Sequence, residues 1–292
     1  MQKISTVITD ALSPLLEEYF CDAGQTAWVV EKIDDRTPPA LIGYFDDAET
    51  AQLAYRNLRE TFGELPEKAE LAHIDDVDWK EEYKKFLTAW DCGGLHWVPV
   101  WMREKYAVPP GDKVFYFDAG LAFGTGDHPT TRLCMAAIMK ALGEGNPAEK
   151  FFIDAGCGSG ILSLSAKLMG AGRVFGFDRD EEAVRVSLNN AALNGIDLDG
   201  VTFEHSGIEA ALAGKRADIL AANIQADVLC IYAENIAGAV RPGGTLVLSG
   251  ILGAENARVR ELFEKKIGGA LESSEAFFMG DWSSLAFKFK NR

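Results

Sequence analysis

The chain has 292 residues, 48% of them hydrophobic and 25% charged, with a formal net charge of -15 at pH 7. That length favours two domains, and the acidic balance argues against direct nucleic-acid binding, which draws most of its affinity from Lys and Arg. With no apolar run near the ~18 residues of a membrane span and no apolar signal core after Met1, the expectation is a cytoplasmic, monomeric protein with no membrane partner.

Residues 3–8, 28–33, 41–45 and 68–74 read as strands, and residues 12–21 and 48–62 as helices with apolar spacings such as Leu12, Leu15, Leu16, Tyr19. The order β-α-β-β-α-β predicts a small ferredoxin-like α+β domain over residues 1–75. It holds 6 Lys plus Arg against 15 Asp plus Glu, which suits either docking of a basic partner or simple solubility. Residues 76–92 are predicted to form a linker helix, with Trp79, Tyr83, Phe86 and Trp90 on one buried face, and residues 93–292 the large domain.

Residues 95–101 and 113–118 look like a β pair. Gly124-Thr125-Gly126-Asp127-His128-Pro129-Thr130-Thr131 then opens a helix running to Leu142, with Pro129 suited to its first turn. The five cysteines are scattered without C-x-x-C and the four histidines are dispersed, so neither a disulfide framework nor a metal site is predicted.

From Phe151 onward strands and helices alternate. Strands are expected at residues 151–153, 174–177, 201–204, 219–222, 245–248, 275–278 and 284–289, with helices at 161–169, 181–194, 225–240 and 254–267. The pattern predicts a doubly wound α/β sheet of seven strands, mostly parallel, whose last two strands can pair antiparallel and whose ligand lies outside the strand C-termini.

Asp154-Ala155-Gly156-Cys157-Gly158-Ser159-Gly160 is a strand-to-helix turn that lets a ligand approach backbone. A dinucleotide fingerprint would be G-x-G-x-x-G facing a pyrophosphate, whereas this turn is G-x-G-x-G preceded by Asp154, which would repel a diphosphate. An acid there suits a cationic cofactor, and Asp178, at the end of the next apolar run, can accept both hydroxyls of a ribose. Together these describe S-adenosylmethionine; the alternatives are a dinucleotide and glycines that only permit tight packing. Asn223, ending the fourth strand, can orient an amine without adding charge or simply cap the next helix, and His128 is a candidate proton relay or a support for its loop.

Asp78-Trp79, residues 95–99, Gly120 to Gly126 with His128-Pro129-Thr130-Thr131, residues 154–162, Asp178, Ala222-Asn223-Ile224, residues 248–252 and Trp282 together resemble the PrmA methyltransferases. These modify protein eleven of the bacterial large ribosomal subunit. The resemblance implies a class I methyltransferase sheet and S-adenosylmethionine contacts by Thr131, Gly156, Asp178 and Asn223, with Asp154 and Gly158 in the same turn. It also implies methylation of lysine side chains and the N-terminus of that basic ribosomal protein, held by the acidic small domain. Asp127 stands where the family usually has Thr, and Gln225-Ala226-Asp227 where it usually has Leu-Ala-Gly. A carboxylate aimed at the target amine would hold it as ammonium, whereas one turned away would matter little. A relative with another protein or small-amine substrate, and a silent cofactor-binding module, are the competing readings.

Overall fold

The computed structural model describes residues 1–22, 27–32, 37–73, 87–117 and 127–291. They belong to two units, Met1–Phe86 and Leu87–Arg292. In the first, β1 (Gln2–Val7), α1 (Ser13–Asp22), β2 (Trp28–Glu31), β3 (Ala40–Phe45), α2 (Ala48–Thr61) and β4 (Glu70–His73) follow one another. The strands form an antiparallel sheet of order β2-β3-β1-β4, the ferredoxin-like arrangement the sequence predicts. Strand alternation sends Ile4, Trp28 and Leu41 to one face, where they meet Leu16 and Phe20 of α1 and Tyr55 and Leu58 of α2. Asp47 caps α2 through Thr50 N–H at 2.8 Å.

The second unit is built on β8 (Phe151–Ala155), β9 (Arg173–Asp178), β10 (Val201–His205), β11 (Ala217–Asn223), β12 (Val240–Leu252), β13 (Leu271–Met279) and β14 (Trp282–Phe289). Their order is β10-β9-β8-β11-β12-β14-β13; the first five are parallel, and β14 runs antiparallel between β12 and β13. This is the doubly wound seven-stranded sheet expected from the alternation of elements.

Both faces are dry, because successive residues point to opposite sides. Phe152, Ile219, Ala221 and Val247 face α3 (Pro129–Leu142) and α4 (Ile161–Leu168). Ile153, Leu220, Leu246 and Leu248 face α7 (Ala226–Ile231), α8 (Ala233–Gly238) and α9 (Asn256–Ile267). α5 (Glu181–Leu193) follows β9, and the short α6 (Ile208–Leu212) follows β10. Among the described residues no helix is long and apolar enough to cross a membrane.

Three expectations change. The helix predicted to reach Trp90 does not extend there: residues 87–89 are not helical and Trp90 begins β5 (Trp90–Cys92), while Trp79, Tyr83 and Phe86 lie outside the described residues. β5 turns through Gly93 and Gly94, both at positive φ, into antiparallel β6 (Leu95–Pro99), and β6 pairs in parallel with β7 (Lys113–Phe117). Trp90 stacks on Trp97 with ring centres 3.9 Å apart, so its aromatic spacing serves a hairpin rather than a helix face. The helix predicted over residues 225–240 divides into α7 and α8 at Tyr232, whose φ of -101° and ψ of 18° interrupt the helical backbone. The strand expected at residues 245–248 extends over the whole of β12.

Candidate functional site

Four neighbouring parallel strands end together. Ala155 of β8 pairs with Phe177 of β9 and with Ala222 of β11, and Asn223 of β11 pairs with Ser249 of β12. One step beyond, Gly156, Asp178 and Asn223 come side by side at the C-terminal edge of the sheet, with Ser249 next to Asn223. The register of the sheet alone therefore assembles residues separated by up to 93 positions in sequence. Ligands bind doubly wound sheets at this edge, where the chain crosses to opposite faces.

The glycine turn is fixed from beneath. Gly156 and Cys157 donate their N–H groups to the Phe177 carbonyl at 2.9 and 3.0 Å. From α5, Ser187 Oγ donates to the Gly158 carbonyl at 3.0 Å and Asn190 Nδ2 to the Ser159 carbonyl at 2.8 Å. Gly156, Gly158 and Gly160 sit at φ of 76°, 51° and 75°, a region that disfavours any side chain. A Cβ at Gly160 would meet Ser187 Oγ at 2.7 Å, and one at Gly156 would meet Ile224 Cγ2 at 2.5 Å.

Asp178 joins the turn to the next strand. Its Oδ2 accepts from Gly158 N–H at 3.0 Å and its Oδ1 from Asp180 N–H at 3.0 Å, and the residue stays partly exposed. Each carboxylate oxygen keeps a further lone pair for a ligand hydroxyl.

Asp154 is fully buried under the same turn. Ser163 satisfies its Oδ2 twice, through Oγ at 2.7 Å and N–H at 3.1 Å, but Oδ1 has no hydrogen-bond partner among the described residues. Desolvation pushes its pKa up to about 7, against the pull of the Ser163 bonds and with help from the nearby Asp178 charge. Asp154 is therefore a titrating acceptor near neutral pH rather than a permanent anion. Cys157 is buried with a thiol raised well above its usual range by the same burial, so it packs rather than reacts.

The start of α3 supplies the other side. His128 is its N-cap and Pro129 its first residue; His128 Nδ1 accepts from Thr130 N–H at 3.4 Å and lies 2.8 Å from Thr130 Oγ1. Accepting at Nδ1 puts the neutral ring's proton on Nε2, and burial lowers the imidazole pKa, which keeps it neutral. The ring packs edge-on against Trp282, centroids 4.9 Å apart. Thr130 and Thr131 are both buried. Ser249 Oγ donates to the Thr130 carbonyl at 2.8 Å, joining α3 to the end of β12.

The two acids singled out in the sequence, Asp127 and Asp227, each pair with an arginine. Asp127 pairs with Arg132 of α3 and accepts from Thr88 N–H and Oγ1, each at 3.4 Å; the Arg132 guanidinium lies over the Trp90 ring at 5.2 Å. Asp227 is exposed and pairs with Arg258 at 2.8 Å.

Of the residues picked out from sequence, Gly156, Gly158, Asp178 and Asn223 lie along one edge, Asp154 is beneath the turn, His128 is a helix cap, and Thr131 is buried in the first turn of α3, which Ser249 joins to that edge through the Thr130 carbonyl. Gly124, Thr125 and Gly126 lie outside the described residues. Sequence reasoning gave no role to Ser163, Ser187, Asn190 or Ser249, because isolated serines and asparagines carry no spacing signal.

Residues 5–290 match the family described as Ribosomal protein L11 methyltransferase (PrmA). A ribosomal protein L11 methyltransferase of Geobacter sulfurreducens is 38% identical over 270 residues, 89% of this chain and 84% of that one. One of Pseudomonas paraeruginosa is 41% identical over 221 residues, 75% and 70% of the two chains. The crystal structure of a ribosomal protein L11 methylase from Lactobacillus delbrueckii subsp. bulgaricus superposes with a TM-score of 0.61 at 27% identity, covering 70% of this chain and all of that one. This chain belongs to the ribosomal protein L11 methyltransferase (PrmA) family.

Proposed function

We propose that this protein is an S-adenosylmethionine-dependent methyltransferase that methylates amines, on lysine side chains and at the N-terminus, of the basic ribosomal protein L11. The observation that carries the reading is the row Asp178, Gly156, Asn223 and Ser249 on adjacent strand ends, in a chain that matches the L11 methyltransferase family over residues 5–290.

Two features fit the cofactor. The glycine turn offers backbone without Cβ atoms at Gly156, Gly158 and Gly160, and Asp154 Oδ1 is a buried acceptor with no hydrogen-bond partner among the described residues, which a cationic group or a bridging water would satisfy. When bound, S-adenosylmethionine supplies an electrophilic methyl group on a sulfonium. Asp178 would hold the ribose hydroxyls, the turn at Gly156 and Gly158 would take the amino-acid end, and Thr131 would contact the cofactor from the first turn of α3.

A lysine ammonium has no lone pair, and with a pKa near ~10.4 its deprotonation at pH 7 costs roughly 4–5 kcal/mol. The site avoids adding to that cost by withholding negative charge: Asn223 presents a neutral amide, while Asp127 and Asp227 are paired with Arg132 and Arg258. Asn223 then has only to orient the amine, and the remaining acceleration is alignment. The acidic small unit fits a basic substrate protein, and a ribosomal-protein substrate fits an enzyme of the cytoplasm.

The test is mass spectrometry of purified L11 incubated with this enzyme and S-adenosylmethionine. Mass gains in steps of one methyl group support the reading. Labelled cofactor that transfers to other ribosomal proteins, but not to L11, would reassign the substrate while keeping the chemistry.

A further inference from the structure

The buried stretch at the end of β12 is apolar except at one position. Leu246, Val247, Leu248 and Ile251 are all fully buried, and so is Ser249 between them. A hydroxyl in such a place costs stability unless it is bonded, and that of Ser249 is spent on the Thr130 carbonyl, 119 residues away in sequence, at 2.8 Å. Thr130 stands in the first turn of α3, where its carbonyl serves the helix with one lone pair and has a second to offer. The bond therefore costs the helix nothing.

The next residue lets a second part of the site come close. Gly250 sits at φ 82°, and a Cβ there would collide with the backbone carbonyl of Ile224, lying 2.9 Å from its carbonyl carbon and 3.1 Å from its nitrogen. The dipeptide Ser249-Gly250 thus bonds the start of α3 on one side and lies directly against the backbone of Ile224 on the other. Ser249 is also the register partner of Asn223.

We infer that Ser249 is a positioning residue: through the Thr130 carbonyl it sets the separation of Thr131 and Asn223, and hence the fit of the cofactor between them. The inference rests on the assignment of Thr131 and Asn223 to the cofactor site. Its chemistry is one neutral hydrogen bond, so it acts on cofactor affinity rather than on the proton or the methyl group.

The experiment measures S-adenosylhomocysteine affinity by titration calorimetry and KM and kcat for S-adenosylmethionine in Ser249→Ala, Ser249→Thr, Thr131→Ala and the Ser249→Ala/Thr131→Ala double variant. Ser249→Ala is expected to weaken affinity and raise KM about five- to tenfold, the scale of one buried hydrogen bond, with Ser249→Thr within about twofold of the original. In the Thr131→Ala background the Ser249 change adds little, because its effect passes through Thr131. A hydroxyl that serves stability alone lowers the melting temperature, leaves KM in place and shows no coupling; that result overturns the inference. If Ser249→Ala yields no folded protein, Ser249→Cys, a weaker donor of similar size, is measured in the same cycle. Unchanged affinity in both Thr131→Ala and Asn223→Ala would instead refute the site assignment, and the inference with it.

Discussion

Asp178 Oδ2 accepts the Gly158 N–H at 3.0 Å, so the end of β9 and the glycine turn after β8 are one hydrogen-bonded unit. The carboxylate both shapes the turn and borders the ligand edge. Asp178→Ala removes two backbone bonds and the ribose acceptor at once. S-adenosylhomocysteine binding should weaken by roughly 1.5–3 kcal/mol, the scale for hydrogen bonds to a charged group. Calorimetry returning the original affinity would refute the ribose assignment.

Gly160 opens α4 in the left-handed region at φ 75°, and a Cβ there would meet the Cα of Ser187 at 3.1 Å as well as its Oγ. Trimming the serine hydroxyl does not clear the contact, since Cα belongs to the backbone of α5. Gly160→Ala therefore combines backbone strain with a helix displaced from the turn, and should cost about 1–3 kcal/mol in urea unfolding. Gly63, with nothing among the described residues within 4 Å of its Cβ position, serves as the tolerant control.

The sequence exposed the sheet because buried parallel strands write apolar runs, and it exposed the turn because three glycines and two acids recur at a fixed spacing. The β5–β6 hairpin was written too, in Gly93-Gly94, but the helical spacing of Trp79, Tyr83, Phe86 and Trp90 outweighed it. Such a stripe is ambiguous where a linker meets a strand. The anchors of the site were illegible for another reason: Ser187, Asn190 and Ser249 act across the fold, through contacts that no local spacing encodes. The orientations of Asp127 and Asp227 likewise depended on arginines, one of them 31 positions away, that sequence could not pair.

Asp227 tests the claim that the transfer centre is kept free of negative charge. Its side chain is 76% exposed and paired with Arg258, so neutralising it should change neither kcat nor KM for L11 by more than about twofold. A rate increase of tenfold in Asp227→Asn would mean that the carboxylate reaches the amine and holds it protonated. Asp127→Asn should act differently, by loosening the ties from Asp127 to Arg132 in α3 and to Thr88 ahead of β5, and raise KM for the cofactor with little change in the pH profile.

Asp154 makes a prediction about pH whose sign is fixed by its burial. Its pKa is about 7 in the folded protein against an ordinary 3.8, so the native state binds the extra proton between those values. The stability that goes with the protonated form is complete below about pH 4 and is lost as pH rises to about 7, after which the loss is constant. Asp154→Asn mimics the protonated acid and still offers an oxygen to Ser163, so its stability should not follow this slope. Relative to Asp154→Asn, the native chain should lose on the order of 3–4 kcal/mol between pH 4 and pH 7.5, an upper figure given relaxation around a buried charge. Urea unfolding of the two proteins across that range checks it; parallel curves would show that Asp154 does not titrate. A cofactor ammonium near Oδ1, which has no partner among the described residues, must reverse the shift by favouring the carboxylate. Binding of S-adenosylhomocysteine at pH 6.5 should then release a proton, seen as an apparent enthalpy that varies with the ionisation enthalpy of the buffer, and the release should vanish by pH 9. Release absent at pH 6.5 would leave Asp154 as a support of the turn through Ser163, without contact to the cofactor's charge.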